Sequence, residues 1–318
     1  MIRWLCLSVA MALPATTAAD EVPAKGGPDL LFASFRGNGE DGLHLASSHD
    51  GLCWSALCDD KPFLQPRVGS RLMRDPCIAR GPDGTFHLVW TTGWRDRGIG
   101  IAHSSDLIHW SKQTWLPLMQ HEPRALNCWA PEIFFDQATG KYLIYWSTTI
   151  PGRFAKTDNT GDLDGKRALN HRIYYVTTRD FSGYSKARLL YDGGFDVIDA
   201  TIIKDHDRYV MFVKDESLRP RPKKNLRIAV ADKAEGPYGA AAKPFTPHWV
   251  EGPTAIKLGE SWYVYYDAYT RKRMEGAKSA DLKHWTPITE QLVFPPGTRH
   301  GTVFTVPEAT LRKLEQHD

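Results

Sequence analysis

One short phrase recurs along the chain and limits what it can fold into. It consists of a small hydroxyl residue, any residue, Asp, three further residues and a large aromatic. It stands as Ser48-His49-Asp50 … Trp54, Ser104-Ser105-Asp106 … Trp110, Thr178-Arg179-Asp180 … Tyr184 and Ser279-Ala280-Asp281 … Trp285. A looser copy, Ala231-Asp232 … Tyr238, carries two extra residues. The Asp-to-Asp steps are 56, 74, 52 and 49 residues. Five units of this size predict an all-β fold, a five-bladed β-propeller in which each blade is a four-stranded sheet.

The segments between the phrases read as strands. Thr85-Phe86-His87-Leu88-Val89-Trp90 follows the turn Pro82-Asp83-Gly84, and Lys141-Tyr142-Leu143-Ile144-Tyr145-Trp146 follows Thr139-Gly140. Arg208 to Val213 and Ser261 to Tyr266 complete the set. All are rich in β-branched and aromatic residues bounded by turn formers. The chain holds 11 Trp, 12 Tyr and 13 Phe, which suits pleated, half-buried surfaces and also stacking on sugar rings. No long amphipathic helix competes, although Glu308 to Gln316 after Pro307 reads as a short terminal one. The 74-residue step requires an insertion, which Pro151 to His171 supplies. This segment reads chiefly as a surface loop, with a wall beside a pocket as its functional alternative. Thr160 to His171 lacks the first Asp and last Glu of a calcium-binding helix–loop–helix, so that motif is rejected.

Each blade unit opens on a similar phrase: Asp75-Pro76-Cys77-Ile78, Ala130-Pro131-Glu132-Ile133, Asp199-Ala200-Thr201-Ile202, Glu251-Gly252-Pro253-Thr254 and His300-Gly301-Thr302-Val303. The first strand of a propeller blade lines the central channel, so equivalent starting positions converge at one end of it. Asp75, Asp199 and Glu251 are expected to meet there, with Ala130 and His300 on the other two spokes. Converging carboxylates repel and lose hydration, which marks them as candidates for chemistry. Glu132 falls two positions off this register and reads as a supporting residue. Phe35 to Leu43 precedes the first unit and is expected to form a strand pair that joins the His300 strand to complete the fifth blade. Glu40 and Asp41 within it read as turn residues.

The order Arg74-Asp75-Pro76, Trp129-Ala130-Pro131-Glu132, Val197-Ile198-Asp199 and Glu251-Gly252-Pro253 resembles the family-43 glycoside hydrolases over about residues 30 to 305. The resemblance implies a five-bladed propeller and inverting hydrolysis of furanosides and xylosides. It implies Asp75 as the general base that activates water, Glu251 as the general acid, and Asp199 as the carboxylate that orients the acid and raises its pKa. His300 corresponds to a channel histidine near a central calcium ion or water cluster, so a structural calcium is the one metal to look for. No cofactor is otherwise required. Trp94, Trp129, Tyr269 and Arg299 are candidates for contact with the sugar. The expected activity is that of an exo-acting α-L-arabinofuranosidase on an oligosaccharide or polysaccharide. β-Xylosidase, a galactose-directed glycosidase, a related transglycosylase and a non-catalytic sugar-binding propeller are the alternatives.

The first twenty residues set the compartment. Arg3 precedes a mostly apolar run from Trp4 to Leu13, Pro14 breaks it, and small residues lead to Ala19. This is the pattern of a secretory signal peptide over residues 1–19, removed before Asp20. The run is too short for a span, which needs roughly 20 residues. Residues 20–318 are then expected as one secreted or periplasmic catalytic domain, monomeric and with no membrane partner after cleavage. An oxidising compartment would let Cys53 and Cys58 close a short loop, whereas Cys77 and Cys128 read as small core residues. A net charge of +3 and a single basic run at Arg219 to Lys224 give no broad basic face, so nucleic acid is not an expected partner.

Overall fold

The computed structural model describes residues 28–158 and 160–317. The predicted signal peptide lies outside the described residues.

Among the described residues, twenty-one strands, one α-helix and three single-turn 3-10 helices follow one another. Strands β1 (Leu30–Phe35), β2 (His44–Ser48) and β3 (Ser55–Ala56) come first. The first complete blade is β4 (Arg74–Arg80), β5 (Phe86–Thr91), β6 (Ile99–Ser104) and β7 (Thr114–Leu116). The second comprises β8 (Trp129–Asp136), β9 (Lys141–Thr149), β12 (His171–Thr178) and β13 (Arg188–Tyr191). Between its middle strands it carries the hairpin β10 (Leu163–Asp164) and β11 (Arg167–Ala168). The third has only β14 (Val197–Asp205), β15 (Arg208–Asp215) and β16 (Asn225–Ala231). The fourth is β17 (Glu251–Leu258), β18 (Ser261–Ala268), β19 (Arg273–Ser279) and β20 (Thr286–Pro287). Strand β21 (Arg299–Thr305) then pairs antiparallel with β1, so the order β21-β1-β2-β3 forms a fifth blade from both ends of the chain. Inner strands β4, β8, β14, β17 and β21 touch in sequence around a closed ring. The five-bladed expectation and its shared blade hold, but the strand pair expected within Phe35 to Leu43 is displaced: the shared strands are β1 and β2 on either side, and residues 36–43 connect them.

The recurring phrase is a turn with a physical purpose. After the third strand of a blade the chain must reverse into the fourth, leaving backbone N–H groups unpaired. Asp50 Oδ1 accepts from the N–H groups of Leu52 and Cys53, and Ser48 Oγ accepts from Gly51 while donating to Asp50. Ser104 with Asp106, and Ser279 with Asp281, repeat these contacts. Side-chain capping of this kind satisfies the backbone locally, so it is readable in sequence. The looser copy at Asp232 follows β16, in the blade with no fourth strand.

The aromatic that ends each phrase serves a second purpose. The described residues form no single core; five apolar clusters lie between neighbouring blades. Trp110 packs on the cluster between the shared and first blades, Tyr184 on the next, Tyr238 on the third, Trp285 on the fourth and Trp54 on the last. Trp54 stacks on Phe294 at 5.5 Å and meets Phe32 edge-on. Fully burying a side chain like that of Trp54 contributes about 1.5–3 kcal/mol; the other four are half-buried and contribute less, but each turn still seals one interface. Helix α1 (Glu308–Glu315) adds Leu311 and Leu314 to the first cluster. Cys77 and Cys128 are buried as expected, and Cys53 and Cys58 are free thiols rather than a bridge.

Candidate active site

The channel end is built by one irregularity repeated on every inner strand. Pairing of β4 with β5 is regular at Arg74↔Thr91 and resumes at Cys77↔Val89, leaving Asp75 and Pro76 bulged. The same break leaves Ala130-Pro131, Asp199-Ala200, Gly252-Pro253 and His300-Gly301. Asp75, Ala130, Asp199 and Gly252 all take positive φ there, at 53°, 44°, 51° and 59°. For residues other than glycine this costs on the order of 1 kcal/mol or more. Bulges of this kind re-aim side chains at a rim.

These pairings correct one expected equivalence. Asp75 and Asp199 occupy matching spokes with Ala130 and His300, but the fourth blade places Gly252 there and Glu251 one residue earlier. Glu251 matches Arg74, Trp129, Ile198 and Arg299 in a ring one residue before the bulges. Aligning the prolines at 76, 131 and 253 would have revealed this register. Gly252 is required: a Cβ there would fall 2.2 Å from Cγ of His300. The offset brings Glu251 into pairing with Arg299 and Lys214 while it still opens into the same cavity as Asp75 and Asp199.

Neighbouring blades tie the spokes together. Thr91 Oγ1 donates to Asp75 Oδ2 at 2.8 Å and accepts from the Ala130 N–H. The Asp199 N–H donates to Ser147 Oγ, and the Gly252 N–H donates to Asp199 Oδ2 at 3.1 Å. Asp75 Oδ1 lies 3.2 Å from His300 Nδ1. Burial acts to raise Asp75, yet His300, Arg74 and Thr91 outweigh it and hold the carboxyl well below its ordinary range. Burial acts to lower His300, but Asp75, Asp199 and Glu251 lift it to about 9.

The charges around Glu251 and Asp199 are arranged differently from expectation. Burial would raise Glu251, but Lys214 Nζ at 3.1 Å and Arg299 at 2.8 Å, with His300, pull it below its ordinary value. Asp199 is the raised carboxyl, through burial first and then Glu251 and Asp75, against His300 and Lys214. In the free protein the cations around Glu251 outweigh the elevation anticipated for it from a like charge. Two cations face Glu251, and the 3.1 Å hydrogen bond from the Gly252 N–H does not offset the burial of Asp199.

All eight residues singled out in the sequence line one cavity of about 620 Å³: Asp75, Asp199, Glu251, Trp94, Trp129, Tyr269, Arg299 and His300. Trp94 and Trp129 meet edge-on at 5.6 Å, and the Trp129 indole donates to the Trp94 carbonyl. Trp94 Nε1 donates to Asn38, while the Arg74 guanidinium sits 4.3 Å above the Trp94 ring. Buried His171 lies against Trp129 at 4.9 Å and is itself held by Asn127 and Asp196. Tyr269 faces Lys214 Nζ at 4.9 Å. Arg299 bonds both Glu251 and Asp267, so its first role is to anchor the carboxylate.

Other expectations sort cleanly. Glu132 accepts from Tyr145 and Thr201 behind the channel, and burial pushes it up to about 7. Asp41 and Glu40 bond within their own turn or to His44. The insertion is more than a surface loop, because Asp162, Leu163, Asp164 and Leu169 line the cavity. Sequence reasoning missed Lys214, Glu216 and Lys224. Only the pairing Ile198↔Lys214 brings the first of these to the channel, and no local motif signals it. As for calcium, Nδ1 of His300 is directed at Asp75. Among the described residues no group of three or more His, Cys, Asp or Glu side chains is placed to hold a metal ion. The described side chains do not form a calcium cage.

Residues 29–311 match the family-43-related glycosyl hydrolase model, whose description is "Probable glycosyl hydrolase domain". An α-L-arabinofuranosidase of Bifidobacterium longum subsp. longum is 25% identical over 219 residues, covering 59% of this chain and 20% of that protein. The chain thus spans about a fifth of that relative's length. Among solved structures, the catalytic domain of a family-62 α-L-arabinofuranosidase from Coprinopsis cinerea superposes with a TM-score of 0.52 at 14% identity, covering 75% of each chain. An exo-β-1,3-galactanase from Phanerochaete chrysosporium, solved with β-1,3-galactotriose, gives 0.51 at 14% identity over 70% of this chain and 51% of that one. These structural likenesses speak for the propeller fold. With the model matched across nearly the whole described chain, this protein belongs to the glycosyl hydrolase family related to family 43.

Proposed function

We propose that the protein hydrolyses O-glycosidic bonds with inversion, releasing a terminal α-L-arabinofuranosyl unit from an oligosaccharide or polysaccharide. The observation that carries this reading is the cavity itself. Three carboxylates from three blades open into it beside two tryptophans and a tyrosine. They carry different proton affinities, Asp75 and Glu251 lowered and Asp199 raised. Divergent affinities are how one site runs acid and base chemistry together.

In this mechanism Trp94, Trp129 and Tyr269 offer ring faces to the sugar. Asp75, ionised and fixed by Thr91 and His300, takes the proton of the attacking water. Glu251 gives a proton to the leaving oxygen, which requires it to acquire one first. Sugar hydroxyls that draw Arg299 or Lys214 away would raise Glu251, and neighbouring Asp199 is the carboxyl disposed to hold the proton meanwhile. β-Xylosidase and galactose-directed activity are the competing specificities of the same site. A binding module has no evident use for carboxylates so differently tuned.

A panel of nitrophenyl glycosides tests the assignment. The α-L-arabinofuranoside is expected to turn over fastest, with the β-xyloside and galactosides at least tenfold slower. Proton NMR during early turnover is expected to show the inverted anomer first; retention, or binding without turnover of any glycoside, refutes the reading.

Export is part of the same proposal and rests on the apolar run Trp4 to Leu13 followed by Ala18-Ala19. Mass spectrometry of the protein from its native source is expected to find Asp20 at the N-terminus. An intact Met1 in the cytosol would contradict it.

A further inference from the structure

The hairpin inserted in the second blade is fastened on both sides. Toward the third blade, the Thr160 carbonyl accepts from the N–H groups of Leu218 and Arg219, and the Arg219 guanidinium donates to the Gly161 carbonyl at 2.6 Å. Lys224 Nζ reaches Asp162 at 2.7 Å from the buried end of the same connection. Toward the first blade, Asp164 accepts two bonds from the guanidinium of Arg95, which stands on the loop between β5 and β6. The hairpin therefore arches over the second blade from the first to the third. Asp162, Leu163, Asp164 and Arg95 all face the cavity, and Leu163 is 59% exposed at the rim.

An arch of this kind has a consequence for the ligand. A polysaccharide lying across a propeller face needs an exit on both sides of the bond being cut. Here one side is closed by a double ion-paired span. We infer that the Arg95–Asp164 pair is a specificity clasp: it keeps the arch closed, so that only a chain end or a single-residue branch enters. This deepens the proposed glycosidase reading and rests on it for the nature of the ligand. Neither clasp residue is among the groups assigned to proton transfer. An exposed ion pair contributes little to stability, so breaking it is expected to alter the opening while the fold persists.

The test compares the unaltered protein with Arg95→Ala, Asp164→Asn and the charge-swapped double variant R95D/D164R. Two readouts separate this inference from the proposed function. The first is product size from linear arabinan. The unaltered protein is expected to release monosaccharide alone, and both single variants to add di- and trisaccharides, with the ratio of polymer to aryl-glycoside turnover rising several-fold. The swapped pair is expected to restore monosaccharide release. The second readout needs no catalysis: quenching of tryptophan fluorescence by arabino-oligosaccharides from di- to hexasaccharide. Affinity should be independent of length in the unaltered protein and should tighten with length in the single variants. Length dependence that appears without any hydrolysis would leave the clasp standing and remove the glycosidase reading. Identical products and identical length profiles in all four proteins would overturn the clasp, whatever the activity.

Discussion

Replacing Asp75 by Asn is expected to lower turnover by about 10²–10⁴-fold, and equally for natural glycosides and for aryl glycosides with very acidic phenols. Water must be activated in both, and Asp75 is the carboxylate that the site keeps ionised. The amide is nearly the same shape and its Oδ1 can still accept from His300, but its Nδ2 cannot accept from the Thr91 hydroxyl; the charge and that one hydrogen bond are lost. Replacing Glu251 by Gln predicts a different pattern. Protonation of the leaving group matters for a sugar alcohol and little for an acidic phenol, so the loss should be large on the natural substrate and much smaller on the aryl one. Steady-state kinetics of both variants on both substrates checks the pair of roles. Full activity in the Asp75 variant, or equal losses on the two substrates in the Glu251 variant, would sink the assignment.

The second large effect is expected at Lys214, which no motif marked. Its ammonium is buried and lies within bonding distance of Glu216 and Glu251, at 2.6 and 3.1 Å. Glu216 in turn bonds Lys224. Burial opposes the charge on Lys214, but Glu216, Glu251 and Asp199 hold it protonated, well above its ordinary value. Lys214→Met keeps much of the volume and removes the charge. Breaking a buried pair on one side typically costs about 3–5 kcal/mol, because Glu216 and Glu251 are left buried with less compensation.

The sign with pH follows from the carboxyls. In the variant their folded affinities for protons rise above those of the unfolded chain. Glu216 is already lifted to about 7 by burial, against Lys214 and Lys224. A raised carboxyl is stabilising in its protonated state at low pH, and that contribution is lost as pH climbs through the folded value. The deficit of Lys214→Met is therefore expected to be greatest above neutrality and to shrink as pH falls toward 5. Denaturant unfolding at several pH values measures it. A deficit independent of pH would mean that packing, not charge, is the role of Lys214. The same substitution should also raise Glu251, moving the alkaline limb of its pH–rate profile upward.

How far the sequence could be read depended on whether a residue's role is local. Four of the turn phrases satisfy backbone groups within three residues of themselves, and the fifth shares their pattern, so all could be found without any structure. Their spacing then implied blade number, the inner strands and one shared blade. Tertiary structure decided matters that depend on pairing between distant segments. Glu251 stands opposite Asp267 and one residue ahead of the bulge, an offset that follows from cross-strand hydrogen bonds and the positive φ of Gly252. That single-residue shift moves Glu251 between Lys214 and Arg299 and inverts the proton affinity anticipated for it.

The insertion shows the same division. Its polar composition announced a loop, but Arg95, Arg219 and Lys224 reach it from other blades and make it an arch over the cavity. The sequence by itself determined the propeller, the channel carboxylates Asp75 and Asp199, and the presence of Glu251 beside them, because a repeated local signal fixes equivalent positions. Only the tertiary structure decided which charges face which, because electrostatic energy depends on distances of a few ångströms between residues tens of positions apart in the chain.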